Sequence, residues 1–259
     1  MTETFEDFYL DRPLVIAHRG ARDVAPENTL AAFRAALDAD ADGVELDVSR
    51  CQTGEIVVLH DDTLERTTNG GGPLARTPYY ALRELDAGGW FAPQFAGEQV
   101  PLLSEVLELA RDVRQGGGRL RVNIEIKGMD HKGDGIEEEI AEMVRARELE
   151  RDVVISSFNP LALWRMRQAA PELQRALLYA AGMPAALSQV WPSRLLSPIT
   201  FHPEWRLISG SRVSRAHAAS HRVNVWTVNE EVDLRRCIGW GVDGLITDHP
   251  ALARRLLPR

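Results

Sequence analysis

Glu45 and Asp47 stand two apart in the apolar run GVELDV, and Glu125 and Lys127 repeat that spacing in NIEIK. On an extended chain, residues i and i+2 face the same side, roughly 7 Å apart at ~3.3 Å per residue. Carboxylates held together on an apolar strand repel unless a cation neutralises them or one keeps its proton. Three of them with an adjacent ammonium describe a metal site beside an anion site. The donors are all oxygen, which favours a hard divalent cation, Mg²⁺ or Ca²⁺, over zinc. Each pair also has a structural reading: solvated or salt-bridged strand-end acids for Glu45 and Asp47, a lining ion pair for Glu125 and Lys127. Repetition on separate segments weighs against both. So does the lysine, because the chain has 28 Arg and only two Lys, Lys127 and Lys132. A compact point charge suits one phosphate oxygen beside a metal.

Oxygen ligation leaves His18 and His60 free for proton transfer. A neutral imidazole can take a proton from an attacking hydroxyl, and an imidazolium can return one to a leaving alkoxide. Arg19 follows His18 and can grip two phosphate oxygens at once. Taken singly, either histidine also reads as a core side chain with satisfied hydrogen bonds, and that is the reading taken for His131, His202, His217, His221 and His249. Asn28, next to Glu27, reads as a polar contact on the site floor or as a helix cap. Trp226 reads as an apolar wall for a glycerol or alcohol group, or as core.

Such residues need elements that bring them together. Short β-branched runs alternate with amphipathic patterns, as in repeated βα units. Strands are expected at 14–18, 43–48, 56–60, 122–127, 153–157, 176–179, 198–202, 223–228 and 244–247. Helices between them carry start signals at Asn28 or Thr29, Ser104, Asp134, Asn159-Pro160 and Asn229. Parallel strands with crossover helices follow, and 259 residues match the roughly 250 of one closed α/β barrel. The strand ends, where barrel sites are assembled, hold His18, Arg19, Glu45, Asp47, His60, Glu125, Lys127 and Trp226.

Nine strands exceed the eight a barrel uses. No helix fits between Val48 and Glu55, so a two-residue Thr53-Gly54 hairpin is expected, which pairs Gln52 with Glu55 and sets Asp47 opposite His60. Residues 61–101, rich in Gly and Pro, read as an insertion over one barrel face, either a functional lid or a loose loop. Cys51 and Cys237 stand outside any paired motif and read as free thiols. A net charge of −8 offers no footprint for nucleic acid. No run approaches the ~18 apolar residues of a membrane helix. With an acidic N-terminus that lacks a leader pattern, a cytoplasmic protein is expected.

Taken in order, IAHRG at 16–20, PENTLAAF at 26–33, DGVELDV at 42–48, VVLHDDTLERTTNG at 57–70, NIEIK at 123–127, SSF at 156–158, VNVWTVN at 223–229 and GVDGLITDHP at 241–250 make the chain resemble the glycerophosphodiester phosphodiesterase family. The family's barrel is similar to that of phosphatidylinositol-specific phospholipase C. The resemblance implies a single domain over 1–259, a TIM-type (β/α)8 barrel with a small insertion at about 61–101. It implies Glu45, Asp47 and Glu125 as ligands of one divalent cation, His18 and His60 as acid and base, and Arg19 and Lys127 on the phosphate.

The reaction expected is attack by the glycerol's neighbouring hydroxyl on phosphorus, followed by opening of the cyclic phosphate to glycerol 3-phosphate; direct attack by water is the competing route. The expected partner is a small glycerophosphodiester, with homodimerisation left open. Rival readings are a lysophospholipid or phosphoinositide diesterase, which calls for an exposed apolar rim, and a non-catalytic barrel that binds phosphate-containing ligands.

Overall fold

The computed structural model describes residues 8–128, 132–183 and 200–258. Its strands are β1 Leu14–His18, β2 Gly43–Arg50, β3 Ile56–Val58, β4 Arg121–Ile126, β5 Val153–Ser157, β6 Gln174–Tyr179, β7 Thr200–Pro203, β8 Asn224–Val225 and β9 Gly244–Thr247. Eight of them run parallel in the order β7-β6-β5-β4-β2-β1-β9-β8, with β3 added to β2. Parallel bridges Phe201–Val223 and Glu204–Trp226 join the two ends. The sheet thereby returns on itself as the expected barrel. Of the strand expected at 198–202, 200–202 are strand, and 198 and 199 lie outside the described residues.

Strands buried on both faces need near-continuous apolar runs. Val15, Ala17, Val44, Leu46, Val122, Ile124, Val153 and Ile155 join the core that also takes Phe33, Val106, Ala110, Ile140 and Val144 from the crossover helices. A second cluster, of Leu14, Ile16, Val154, Ala176 and Ile246, takes in Phe8 and Tyr9. Tyr9 anchors there: its hydroxyl accepts from Asn224 Nδ2 at 3.1 Å and lies 3.3 Å from Thr200 Oγ1. The leading segment, read only as acidic, thus supplies aromatic filling. His202 is fully buried as expected and contacts Asn224 at 2.9 Å, whereas His217 and His249 are not core. They pair with Asp243 and Asp23 at 2.7 and 3.1 Å on the outside. His221 stacks near Phe201 with centroids 4.8 Å apart, and His131 lies outside the described residues. Both cysteines are buried free thiols.

Helix starts follow the caps in part. Thr29, not Asn28, caps Leu30–Asp38, its side chain accepting from Ala32 N, and Asn159 caps Pro160–Ala169. Ser104 caps nothing, because Leu103–Gln115 begins before it and Glu105 accepts from Leu102 N at 2.8 Å. Asp134 contributes from one position farther out, accepting from Ile136 N at 3.1 Å. Asn229 lies ahead of Glu231–Gly239 and turns to the site instead.

The hairpin register differs by one residue. Val48 pairs with Val58 and Arg50 with Ile56, and Cys51 N donates to Glu55 O at 3.1 Å. Three residues, Gln52 to Gly54, therefore form the loop, with Gly54 at φ 102°. Three-residue hairpin loops commonly carry a glycine at positive φ. Leu59, not His60, faces Asp47, its N–H donating to Asp47 O at 3.0 Å. Because β3 ends at Val58, strict alternation does not bind His60.

The insertion is packed. Leu64, Leu74, Leu82, Ala87 and Val100 form a separate cluster with Cys51, Val57 and Leu59, around single helical turns at Leu74–Arg76, Tyr79–Leu82 and Pro93–Phe95. Leu82 is fully buried in it. Leu82→Ala is expected to cost about 2–5 kcal/mol, the range for a buried leucine, and denaturant unfolding measures it. A loss below about 0.5 kcal/mol would mean that this cluster does not hold the insertion down.

Candidate active site

Strand register assembles the site. Neighbouring parallel strands set His18 beside Glu45 and Asp47 beside Glu125, at the C-terminal ends where βα loops converge. Ligand oxygens of Glu45, Asp47 and Glu125 lie within 4.8 Å of one another, and all three residues are buried. Asp47 is the most enclosed, at 1% exposure. It meets Asn28 Nδ2 at 3.0 Å, Arg19 Nε at 3.2 Å and Lys127 Nζ at 3.3 Å. Glu45 accepts from Arg19 N at 3.0 Å, and Lys127 Nζ also reaches Glu125 at 3.0 Å.

Two cations against three carboxylates leave the charge unbalanced, and the proton affinities register it. Burial, with repulsion from Asp47 and Glu125, holds Glu45 well above the usual carboxylate range. Burial and Asp47 push Glu125 up to about 7 against the pull of Lys127. Asp47 goes the other way: burial would raise it, but Arg19 and Lys127 outweigh that and lower it. Asn28 adds an amide oxygen, Oδ1, that is buried and has no hydrogen-bond partner. An all-oxygen set that is short of positive charge fits a hard divalent cation.

The loop from β1 pays for this arrangement in backbone strain. Arg19 and Asn28 both sit at φ 57°, a region that costs a non-glycine residue of order 1–3 kcal/mol. Asn28 N donates to Arg19 O at 2.9 Å, closing the loop under the carboxylates. Between them Gly20 sits at φ 85°, where a Cβ would lie 2.7 Å from the Ala32 backbone. The readings left open for Asn28 are thereby decided: Thr29 is the cap, and Asn28 belongs to the site.

Each histidine is held through Nδ1 by an aspartate. His18 Nδ1 lies 2.6 Å from Asp248 Oδ1, and His60 Nδ1 lies 2.5 Å from Asp61 Oδ1. Asn229 donates to Asp248 Oδ2 at 2.8 Å and accepts from its N–H at 3.0 Å. An ionised aspartate on Nδ1 keeps the proton there and leaves Nε2 as the acceptor. His18 Nε2 stands 4.0 Å from Glu45. Burial lowers the His60 pKa, as do the positive charges of Arg19 and Lys127, against the fields of Asp47 and Asp61.

Trp226 stands aside from these contacts. Its indole N–H donates to His202 O at 2.6 Å and its ring meets Phe158 edge-on at 5.5 Å. Part of it packs into the Phe8–Tyr9 cluster, so the core reading holds for that part. Sequence reasoning missed Asp248 and Asn229 as partners of the site, and had Asp61 only as a strand-end residue and Glu27 only as the neighbour of Asn28. Their available signal was position, since each lies at or just past the C-terminal end of a barrel strand or hairpin strand, or in the first βα loop.

The chain is similar to known proteins over nearly its whole length. The model of the glycerophosphoryl diester phosphodiesterase family matches residues 18–252. A glycerophosphodiester phosphodiesterase of Caldanaerobacter subterraneus is 40% identical over 240 residues, 92% of this chain and 95% of the relative. Among solved structures, a putative glycerophosphoryl diester phosphodiesterase from Silicibacter pomeroyi superposes with a TM-score of 0.85 at 28% identity, covering 98% of this chain and 96% of that one. An Oleispira antarctica phosphodiesterase in complex with the product sn-glycerol-3-phosphate gives 0.78 at 32% identity, covering 95% and 96%.

Glu27 has a measurable consequence. Burial raises its pKa, but hydrogen bonds from Arg66 and Arg19 outweigh that and draw it down to about 2. A carboxylate lowered in the folded state contributes stability above its unfolded pKa and loses it as pH falls. Unfolding free energy should therefore drop between pH 4.5 and 2, with this one proton contributing up to about 1.4 kcal/mol per unit. Glu27→Gln should flatten that slope by roughly one proton, and an unchanged slope in denaturation across this window would reject the assignment.

Proposed function

Because the chain belongs to the glycerophosphoryl diester phosphodiesterase family, and is a phosphoric diester hydrolase, we propose that it hydrolyses glycerophosphodiesters such as glycerophosphocholine and glycerophosphoethanolamine to glycerol 3-phosphate and an alcohol. One observation carries the reading beyond the family: three buried carboxylates lie within 4.8 Å of one another, with His18 Nε2 4.0 Å from Glu45 and both His18 and His60 held through Nδ1 by an aspartate. The chain works in this reading as one catalytic domain.

Glu45, Asp47 and Glu125 would hold one divalent cation, Mg²⁺ or Ca²⁺, which when bound supplies positive charge against the phosphoryl oxygens. Arg19 and Lys127, both at the carboxylates, complete the anion site. Trp226, partly exposed, would offer an apolar wall to the alcohol. One of His18 and His60 accepts the proton of the glycerol's neighbouring hydroxyl as its oxygen bonds to phosphorus. The other protonates the leaving alcohol as the P–O bond breaks. The cyclic phosphate is then opened by water, with the proton roles reversed, and glycerol 3-phosphate leaves.

Release of glycerol 3-phosphate from a panel of glycerophosphodiesters, with a chelator and with Mg²⁺ or Ca²⁺ restored, tests the reaction, the specificity and the metal together. Turnover that a chelator abolishes and a divalent ion restores is expected; undiminished turnover in chelator removes the cation from the mechanism. His18→Ala and His60→Ala should each lower kcat by about 10²–10⁴-fold. One of them should accumulate a cyclic glycerol phosphate. Detection of no cyclic species in either variant or the wild type favours direct attack by water.

A further inference from the structure

Glu27 and Arg66 take no part in the reaction itself, yet their side chains belong to a chain of contacts that links the two histidines. Starting from His18, Nδ1 contacts Asp248 Oδ1 at 2.6 Å, and the same oxygen lies 3.7 Å from Arg22 Nη1. Arg22 Nη2 lies 3.1 Å from Glu27 Oε2. Glu27 then accepts a forked pair from Arg66, at 2.9 and 2.8 Å. Arg66 turns its other edge to Asp61, with Nε at 2.5 Å and Nη2 at 3.1 Å, and Asp61 meets His60 Nδ1 at 2.5 Å. A branch at Glu27 reaches Arg19 Nη1 at 2.8 Å.

We infer that Arg66 and Glu27 are positioning residues that set both imidazoles and Arg19 in one frame, and that the insertion therefore carries part of the catalytic geometry. The inference rests on His18 and His60 being the acid and base.

Three lines of physical reasoning support it. Glu27 is the hub, its side chain 2% exposed and facing three guanidinium groups, so its orientation is dictated by them. Arg66 donates to both carboxylates through separate edges of one rigid plane, a task that lysine's single ammonium cannot do. Asp61 has few other anchors: Arg66 supplies two of its hydrogen bonds and, as the largest influence, keeps it ionised far below the usual carboxylate range. Without Arg66, Asp61 is free to turn, and the tautomer of His60 is no longer specified.

Arg66 is the position to test, because its side chain is 44% exposed while Glu27 is enclosed and its loss would remove the acceptor that three guanidinium groups share. The full-length wild type, Arg66→Met and Arg66→Lys are compared by steady-state kinetics on a glycerophosphodiester that the wild type hydrolyses. Nitrogen NMR of ¹⁵N-histidine-labelled protein reads the His60 tautomer in the same samples. Arg66→Met should lower kcat about 10–100-fold, as loss of an orienting partner does, with KM within about threefold. Arg66→Lys should recover little of it, and methylguanidinium added to Arg66→Met should restore part. In the wild type His60 should be protonated at Nδ1, and in Arg66→Met it should shift to a mixture of tautomers. A kcat for Arg66→Met within about threefold of wild type, or a fall in kcat with the His60 tautomer unchanged, overturns the inference. Failure of the proposed reaction is separable: it shows as wild-type protein that turns over no substrate, and the tautomer comparison still decides the positioning role.

Discussion

Three carboxylates brought within 4.8 Å of one another in a buried setting are the arrangement around which this protein is built. Left alone, such a cluster opposes folding, since each added negative charge must leave water and approach its like. The surrounding residues offset that cost. Lys127 and Arg19 lie against Asp47, Asn28 donates to it, and the Arg19 backbone donates to Glu45. The raised proton affinities of Glu45 and Glu125 show that the compensation is partial, which leaves the site a standing appetite for a further positive charge.

The barrel makes the arrangement possible because its strands are registered by backbone ladders rather than by the side chains they carry. Asp47 faces Glu125 across the β2–β4 ladder, and the ladder's many bonds and the apolar layer behind it hold the pair together against their repulsion. Strain is stored in the same place. Arg19 and Asn28 accept left-handed backbone conformations so that a main-chain donor and a side-chain donor from one short loop can both reach the carboxylates, a trade seen where function over-determines geometry.

Around this centre the ionic network extends outward through groups of decreasing burial, from Asp47 to Glu27 to Asp61 and Arg66. Alternation of sign keeps each member paired, and the aspartates on His18 and His60 are its two ends. The insertion takes part in it through Asp61 and Arg66 and is anchored by its own apolar cluster on β3. A loose loop could not hold a forked arginine at the required distance.

The amino-acid sequence by itself determined the βα rhythm, the barrel, and the acidic, basic and imidazole residues at its strand ends, because near-continuous apolar runs that end in charge leave those side chains few places to go. Glu45, Asp47, Glu125 and Lys127 gather as their spacing implied, and Arg19 and His18, placed by sequence only at a strand end, reach the same carboxylates. Tertiary structure alone decided the rest. The hairpin loop gained Gln52 and moved Leu59 opposite Asp47, since loop length is set by local φ preferences that several sequences satisfy equally. Asn229, a plausible cap, went to Asp248, and Tyr9 reached Asn224 from 215 residues away. The pairing of Glu27 with Arg66 and of Asp248 with His18 joins residues 39 and 230 positions apart. Spacing along a chain specifies which face a side chain takes; which distant partner it meets there depends on how the whole barrel closes.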